Sequence, residues 1–139
     1  MSFLIDTNVV SEWVRPRPNP GVLSWLAEAD EDRIFISVVT LAELRRGIAR
    51  LAHSRRRNRL DEWLRDELPL RFEGRILPID AVVAATWGDV VAEREKHGRP
   101  MSAMGAFIAA TARVHHLTLV TRNTPDFEGS VPEIVNPWI

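Results

Sequence analysis

Short apolar runs that stop abruptly at polar residues, with helix-length segments between them, constrain this chain more than any other feature. The runs are Phe3–Ile5, Ile34–Ser37, Ile76–Ile79 and Leu117–Thr121, with Glu133–Val135 as a short fifth. They are too short for buried helices, and unbroken apolarity marks strands covered on both faces. Between them the periodicity predicts helices over Thr7–Val14, Pro20–Ala29, Thr40–Ala52, Arg55–Leu68, Ala81–Lys96 and Ala106–His115. Leu41, Leu44, Ile48 and Leu51 share one face of the third helix. The stretch Arg15-Pro-Arg-Pro-Asn-Pro20 is a stiff loop, because each proline drives its predecessor out of helical geometry. Strands alternating with helices predict the α/β class, a short parallel sheet flanked by helices on both faces. Sites in such sheets lie at the carboxyl ends of the strands. At 139 residues, the expectation is a single domain, 1–139, with a core large enough to need no staples.

Composition removes several classes of chemistry. The chain has no cysteine, which excludes a disulfide scaffold, Cys-ligated zinc, an iron–sulfur cluster and a thiol nucleophile. The N-terminus lacks a basic start and meets Asp6 early, unlike a signal peptide. No apolar run approaches the ~18 residues of a membrane span, so no membrane partner is expected. There is no Gly-rich phosphate loop, Walker-type Lys or G-x-S-x-G elbow. His115 and His116 are adjacent, so their rings diverge on a helix and make no metal pair. A receiver-like phosphoacceptor would want a Lys at a strand end, and the only Lys, Lys96, ends a helix.

Three places carry candidate chemistry. Asp6 directly follows the first strand, where a carboxylate serves equally as a metal ligand or as the cap of the next helix. Glu43 stands in Thr40-Leu-Ala-Glu43, and taken alone that spacing reads as a capping box. Gly47 and Arg50 fall on the Glu43 stripe with Arg46 beside it. That stripe suits a metal and a phosphate, or equally a surface i,i+3 ion pair. The third place, Thr121-Arg-Asn123-Thr-Pro-Asp126, again follows a strand. It offers Asn123 and Asp126 as oxygen ligands and Thr121 as a hydroxyl, with an Asx turn before Pro125 as the plainer reading.

Together these segments resemble the PIN-domain ribonucleases, and within them the VapC and FitB-like toxins of toxin–antitoxin pairs. The matching pieces are FLIDTNVVSEWVRPRP, ISVVTLAELRRGIARL, FEGRILPID, GRPMSAMGAFIAATARVHHLTLVTRN and the terminal VNPW, in order over almost the whole chain. The resemblance implies a PIN-like three-layer sandwich whose acidic pocket binds Mg²⁺ or Mn²⁺ and hydrolyses RNA phosphodiesters. On that model Asp6, Glu43, Asn123 and Asp126 are catalytic, with Asp6, Glu43 and Asn123 on the metal. Thr7, Asn8 and Thr121 orient the ligands, and Arg46 and Arg50 contact RNA. One departure is serious: where the family carries an Asp in a pattern like S-V-A-D-A, this chain has Ser102-Ala-Met-Gly105-Ala. Gly105 offers no ligand atom, so weakened metal binding and cleavage are expected. The alternative is a catalytically inactive PIN domain acting as an antitoxin-binding co-repressor.

The resemblance also implies a bacterial cytoplasmic protein with a VapB-like antitoxin as partner, an RNA substrate, and a homodimer or toxin–antitoxin hetero-oligomer. Trp13, Leu23, Trp25 and the Arg55–Leu68 helix are candidate walls of the antitoxin groove, with core packing as the alternative. The net charge of −1 hides a segregation: Arg45 to Arg65 holds eight Arg against Asp61 and Glu62. Such a basic stretch beside an acidic pocket is compatible with nucleic acid as well as with a merely solvated helical face.

Overall fold

The computed structural model describes all 139 residues. Five parallel strands, β1 (Phe3–Ile5), β2 (Ile34–Ser37), β3 (Ile76–Leu77), β4 (Thr118–Val120) and β5 (Ile134–Val135), form one sheet in the order β3-β2-β1-β4-β5. The chain starts in the middle, builds outward through β2 and β3, then returns to the other side of β1 for β4 and β5. The strand order therefore reverses between β1 and β4, and a crevice opens at their carboxyl ends.

The helices are α1 (Thr7–Trp13), α2 (Pro20–Glu28), α3 (Val38–Ala49), α4 (Arg55–Glu62), α5 (Leu68–Arg71), α6 (Ala81–Lys96), α7 (Ala103–Val114) and α8 (Thr124–Phe127). Alternation along each strand sorts side chains into two cores. Ile5, Ile34, Ile36 and Val120 face α1 to α5, meeting Val9, Val10, Val22, Leu44, Ile48, Leu64, Leu68 and Phe72. Leu4, Leu117 and Leu119 face the other way, onto Val90, Ala106, Ile108, Ala109 and Ala112 of α6 and α7. The result is the expected helix–sheet–helix sandwich. Buried alanines on α7 (Ala106, Ala109, Ala110, Ala112) leave room for α6 to approach closely.

The structure differs from the periodicity reading in several places: the strand expected over Ile76–Ile79 ends at Leu77, and the helix expected to run to Ala52 ends at Ala49, leaving Leu51 exposed rather than on the apolar face. The helix expected from Thr40 begins at Val38, because the Ser37 hydroxyl accepts the Val39 N–H at 3.0 Å and caps it. The segment read as one helix over Arg55–Leu68 runs on to Arg71 with a π-helical stretch, Trp63–Glu67, between α4 and α5. Leu64 and Leu68 lie in the core through this stretch, 6% and 1% exposed. The helix expected from Ala106 starts at Ala103 because Ser102 caps it through Gly105 N–H at 3.0 Å. Residues 124–127 form a short helix, and Asn123 makes no side-chain cap there, so the Asx turn is not the reason Asn123 stands where it does.

No helix is long and apolar enough to cross a membrane.

Candidate functional site

A cleft of about 570 Å³ opens at the carboxyl ends of β1 and β4. Asp6, Glu43, Asn123 and Asp126 all line it, and so do Thr7, Asn8 and Gly105. Asp6 is placed by the sheet itself, since its N–H donates to Val120 O at 2.9 Å and extends the β1–β4 pairing by one residue. Its backbone then turns from extended into helix, and its Oδ1 accepts Thr7 N–H at 2.8 Å. Asp6 thus caps α1 and lines the cleft at once, so capping the helix does not take its carboxylate out of the cleft.

Thr121 is the hub beneath Asp6. Its fully buried hydroxyl donates to Asp6 Oδ2 at 2.8 Å and accepts from Asn8 Nδ2 at 3.2 Å and Asn123 N–H at 3.0 Å. Asn8 Nδ2 also reaches Asp6 Oδ2 at 3.4 Å, and Asn8 Oδ1 accepts Arg122 N–H at 3.4 Å. These contacts tie the end of β1 to the loop after β4.

Glu43 is not the back half of a capping box. Ser37 takes the cap, and Glu43 Oε1 instead accepts the Thr7 hydroxyl at 2.6 Å, with the Thr40 hydroxyl 3.1 Å from that of Thr7. The Thr-x-x-Glu spacing is common to both outcomes, so only the position of α3 against α1 decides which occurs. Thr7 therefore stands between two carboxylates, touching one through its N–H and the other through its hydroxyl.

The electrostatics follow from this crowding. Burial raises the Asp6 carboxyl above its ordinary value, against the lowering effect of the Thr121 and Thr7 hydrogen bonds, and the charges of Glu43 and Asp126 push it further up. A carboxylate held in a dry place among other carboxylates is the donor chemistry that a hard divalent cation relieves. No three acidic or imidazole side chains converge to enclose a metal by themselves. Two carboxylates with water are nevertheless a sufficient protein share for Mg²⁺, so the residues fit a weakly held ion.

Gly105 borders the cleft at the start of α7. A Cβ there would meet the Ser102 hydroxyl at 2.9 Å, and next Met101 Cε at 3.8 Å and Phe127 Cζ at 3.9 Å. That hydroxyl is the cap of α7, so a side chain at position 105 requires the Ser102 cap to shift, whereas the next neighbours stand at ordinary contact distance; the position carries no acid.

Arg46 and Arg50 are exposed on α3 and do not line the cleft; its arginines are Arg15, Arg94 and Arg122. Arg94 is used structurally, donating to the Arg99 and Glu128 carbonyls and the Ser130 hydroxyl. Trp138 also reaches the cleft. Arg122 had a usable signal, one residue beyond a strand end. Trp138 stands out in the sequence only as part of the terminal VNPW, with no role attached, because its position depends on how the last residues fold back. Trp13 packs edge-on against Phe72 and Trp25 against Phe3, so both serve the core. A shallow groove of about 200 Å³ does run from Thr7 and Glu43 past Gly47 to Leu51, Leu60 and Trp63.

A PIN domain family model matches residues 3–128. The chain is 41% identical over 136 residues to toxin FitB of Neisseria gonorrhoeae, covering 98% of each. It is 33% identical over 136 residues to VapC ribonuclease Y4jK of Sinorhizobium fredii, covering 98% of this chain and 97% of that one. A solved structure of FitAB bound to an IR36 DNA fragment superposes with a TM-score of 0.92 at 38% identity, over 99% of this chain and 96% of that chain.

Proposed function

The chain belongs to the PIN domain family as a toxin of the FitB/VapC type, and from that premise we propose that its cleft hydrolyses RNA phosphodiesters with Mg²⁺ or Mn²⁺, at a rate lowered by Gly105. The observation that carries the reading is the clustering of Asp6, Glu43, Asn123 and Asp126 around one crevice at the strand ends. Asp6 and Glu43 would hold the metal, with Asn123 as a neutral ligand and Asp126 adding negative charge nearby. When bound, such an ion lowers the pKa of its water and offsets charge building on the phosphoryl oxygens. The protein's own share is positional. Thr121, Asn8 and the Thr7 N–H hold Asp6, while the Thr7 hydroxyl holds Glu43. Arg46 and Arg50 stay outside the cleft and would meet RNA only beyond the cleaved link.

By analogy with the FitAB complex, the partner is a small antitoxin, with a homodimer or a toxin–antitoxin hetero-oligomer as the assembled form. The groove beside Gly47 and Trp63 leads into the cleft, which suits a segment that covers it.

The test compares the chain freed of antitoxin with Gly105→Asp and Asp6→Asn on RNA, with Mn²⁺. Gly105→Asp should cleave about tenfold faster or more, since losing even a residue that only orients a ligand costs ~10–100-fold. Asp6→Asn should abolish cleavage. No gain from Gly105→Asp refutes impairment by the glycine. A second reading is favoured by the missing acid: an inactive PIN domain that acts as a co-repressor through its antitoxin. It is supported if the wild-type chain cuts nothing with Mn²⁺ yet retains the antitoxin and its effect on DNA binding.

A further inference from the structure

One wall of the cleft combines an aromatic ring with an uncommitted cation. Arg122 lies over the Trp138 ring, 5.7 Å from its centroid, and both line the cleft with Asp6. No ion pair takes the Arg122 guanidinium, in contrast to Arg15, which pairs with Glu12 at 3.3 Å. Trp138 is half-buried, packed on one side against the core.

The fold anchors the backbone on either side of this residue. The Asn19 side chain caps α2 through Gly21 N–H and also clasps the last residue, donating from Nδ2 to Ile139 O at 2.9 Å and accepting Ile139 N–H at 3.3 Å. Asn19 N–H is in turn held by the buried Glu12 carboxylate at 2.8 Å. Trp138 N–H donates to Asn136 Oδ1 at 3.1 Å. A Cβ at position 21 would collide with Pro137 O, so the tail needs a glycine there to lie as close as it does. The metal chemistry needs none of this.

We propose that Trp138 and Arg122 form a subsite for one unpaired nucleotide beside the phosphodiester that the cleft cleaves: Arg122, which no ion pair holds, swings off the indole to take the phosphate, and the base stacks on the ring face it leaves. The subsite rests on the ribonuclease reading of the same cleft. Every base has a π-face, so stacking attracts nucleotides without reading sequence, but a base inside a duplex cannot present that face. The subsite therefore selects for loops, bulges or single strands.

The test is binding, without metal. A fluorescent unstructured RNA of mixed adenine and cytosine, and its duplex, are titrated with the full chain in EDTA by anisotropy, across a series of salt concentrations. The wild-type chain should favour the single strand. Trp138→Ala should weaken that binding about tenfold while leaving its salt dependence alone, and Trp138→Phe should retain most of it. Arg122→Gln should flatten the slope of log affinity against log salt by roughly 0.7, the share of one phosphate contact. Arg122 is exposed, so this variant decides the matter even if Trp138→Ala fails to fold. The proposal is overturned if Trp138→Phe and Arg122→Gln both match Trp138→Ala in salt slope and affinity. It is equally overturned if the variants weaken single strand and duplex alike, or weaken only antitoxin retention. A wild-type chain that binds no RNA removes the ribonuclease reading as well, whereas a wild type that binds and variants that bind equally remove the subsite alone.

Discussion

Replacing Thr121 by Val tests whether its hydroxyl is the keystone of the site. The side chains have nearly the same shape, so the change deletes three hydrogen bonds and little else. Thr121 is fully buried, and the groups it leaves behind are Asp6 Oδ2, Asn8 Nδ2 and Asn123 N–H. A neutral hydrogen bond contributes about 1 kcal/mol and one to a charged group ~1.5–3, which sums to about 4 kcal/mol. For a chain of this size that lowers Tm by roughly 10 °C, and it lowers the urea midpoint by about 2 M at a slope near 2 kcal/mol/M. Thr121→Ser keeps the hydroxyl and should cost only ~1 kcal/mol for the lost methyl. The loss also depends on pH. Burial holds the folded Asp6 carboxyl above its ordinary 3.8, so folding favours its neutral form. That contribution is complete below the unfolded value and is lost as pH rises through the folded one. Removing the Thr121 donor raises the carboxyl further, so Thr121→Val should cost more at pH 7 than near pH 4. Equal losses for Val and Ser, or a Val loss that does not change with pH, would refute the reasoning.

Other outcomes follow from neighbouring features. Gly88→Ala, in the middle of α6 with nothing within 4 Å of the added Cβ, should stabilise by ~0.5–1 kcal/mol in urea unfolding. Gly21→Ala should lower Tm despite the better helix former, because the new methyl meets Pro137 O. The Glu93 carboxyl is held below its ordinary 4.5, first by its hydrogen bond from Arg113. Its stabilising effect is full above that value and fades as pH falls through the folded one, so Glu93→Gln should flatten the acid limb of a Tm–pH curve. Mn²⁺ should raise Tm by mass action, and by more in Gly105→Asp than in the wild-type chain.

Much of the architecture was legible because strands and helices differ in period. The runs at Phe3, Ile34 and Leu117 read as strands, and Ala81–Lys96 was legible to the residue. The site was legible in part, since Asp6 and Thr121 stand directly after strands with Asn123 in the loop that follows, and a parallel sheet gathers strand ends on one edge. Glu43 was ambiguous because a capping box and a pocket acid share the same spacing. The helix starts at Val38 and Ala103 were missed because short serine caps compete with apolar periodicity. The π-helical turn in 63–67 was invisible because one wider turn leaves the apolar positions nearly unchanged.

The sequence alone determined the parallel sandwich, the position of the acids along it, and the absence of an acid at Gly105, because these depend on local pattern and residue identity. Only the tertiary structure decided that Thr121 ties Asp6 to Asn8, that Glu43 turns to Thr7, and that Arg122 and Trp138 rather than Arg46 and Arg50 share the cleft with Asp6. Each of those depends on contacts between residues 33 to 115 positions apart or on a chain end folded back over α2. No short-range signal records them, because the free energy that selects them exists only once the sheet is formed.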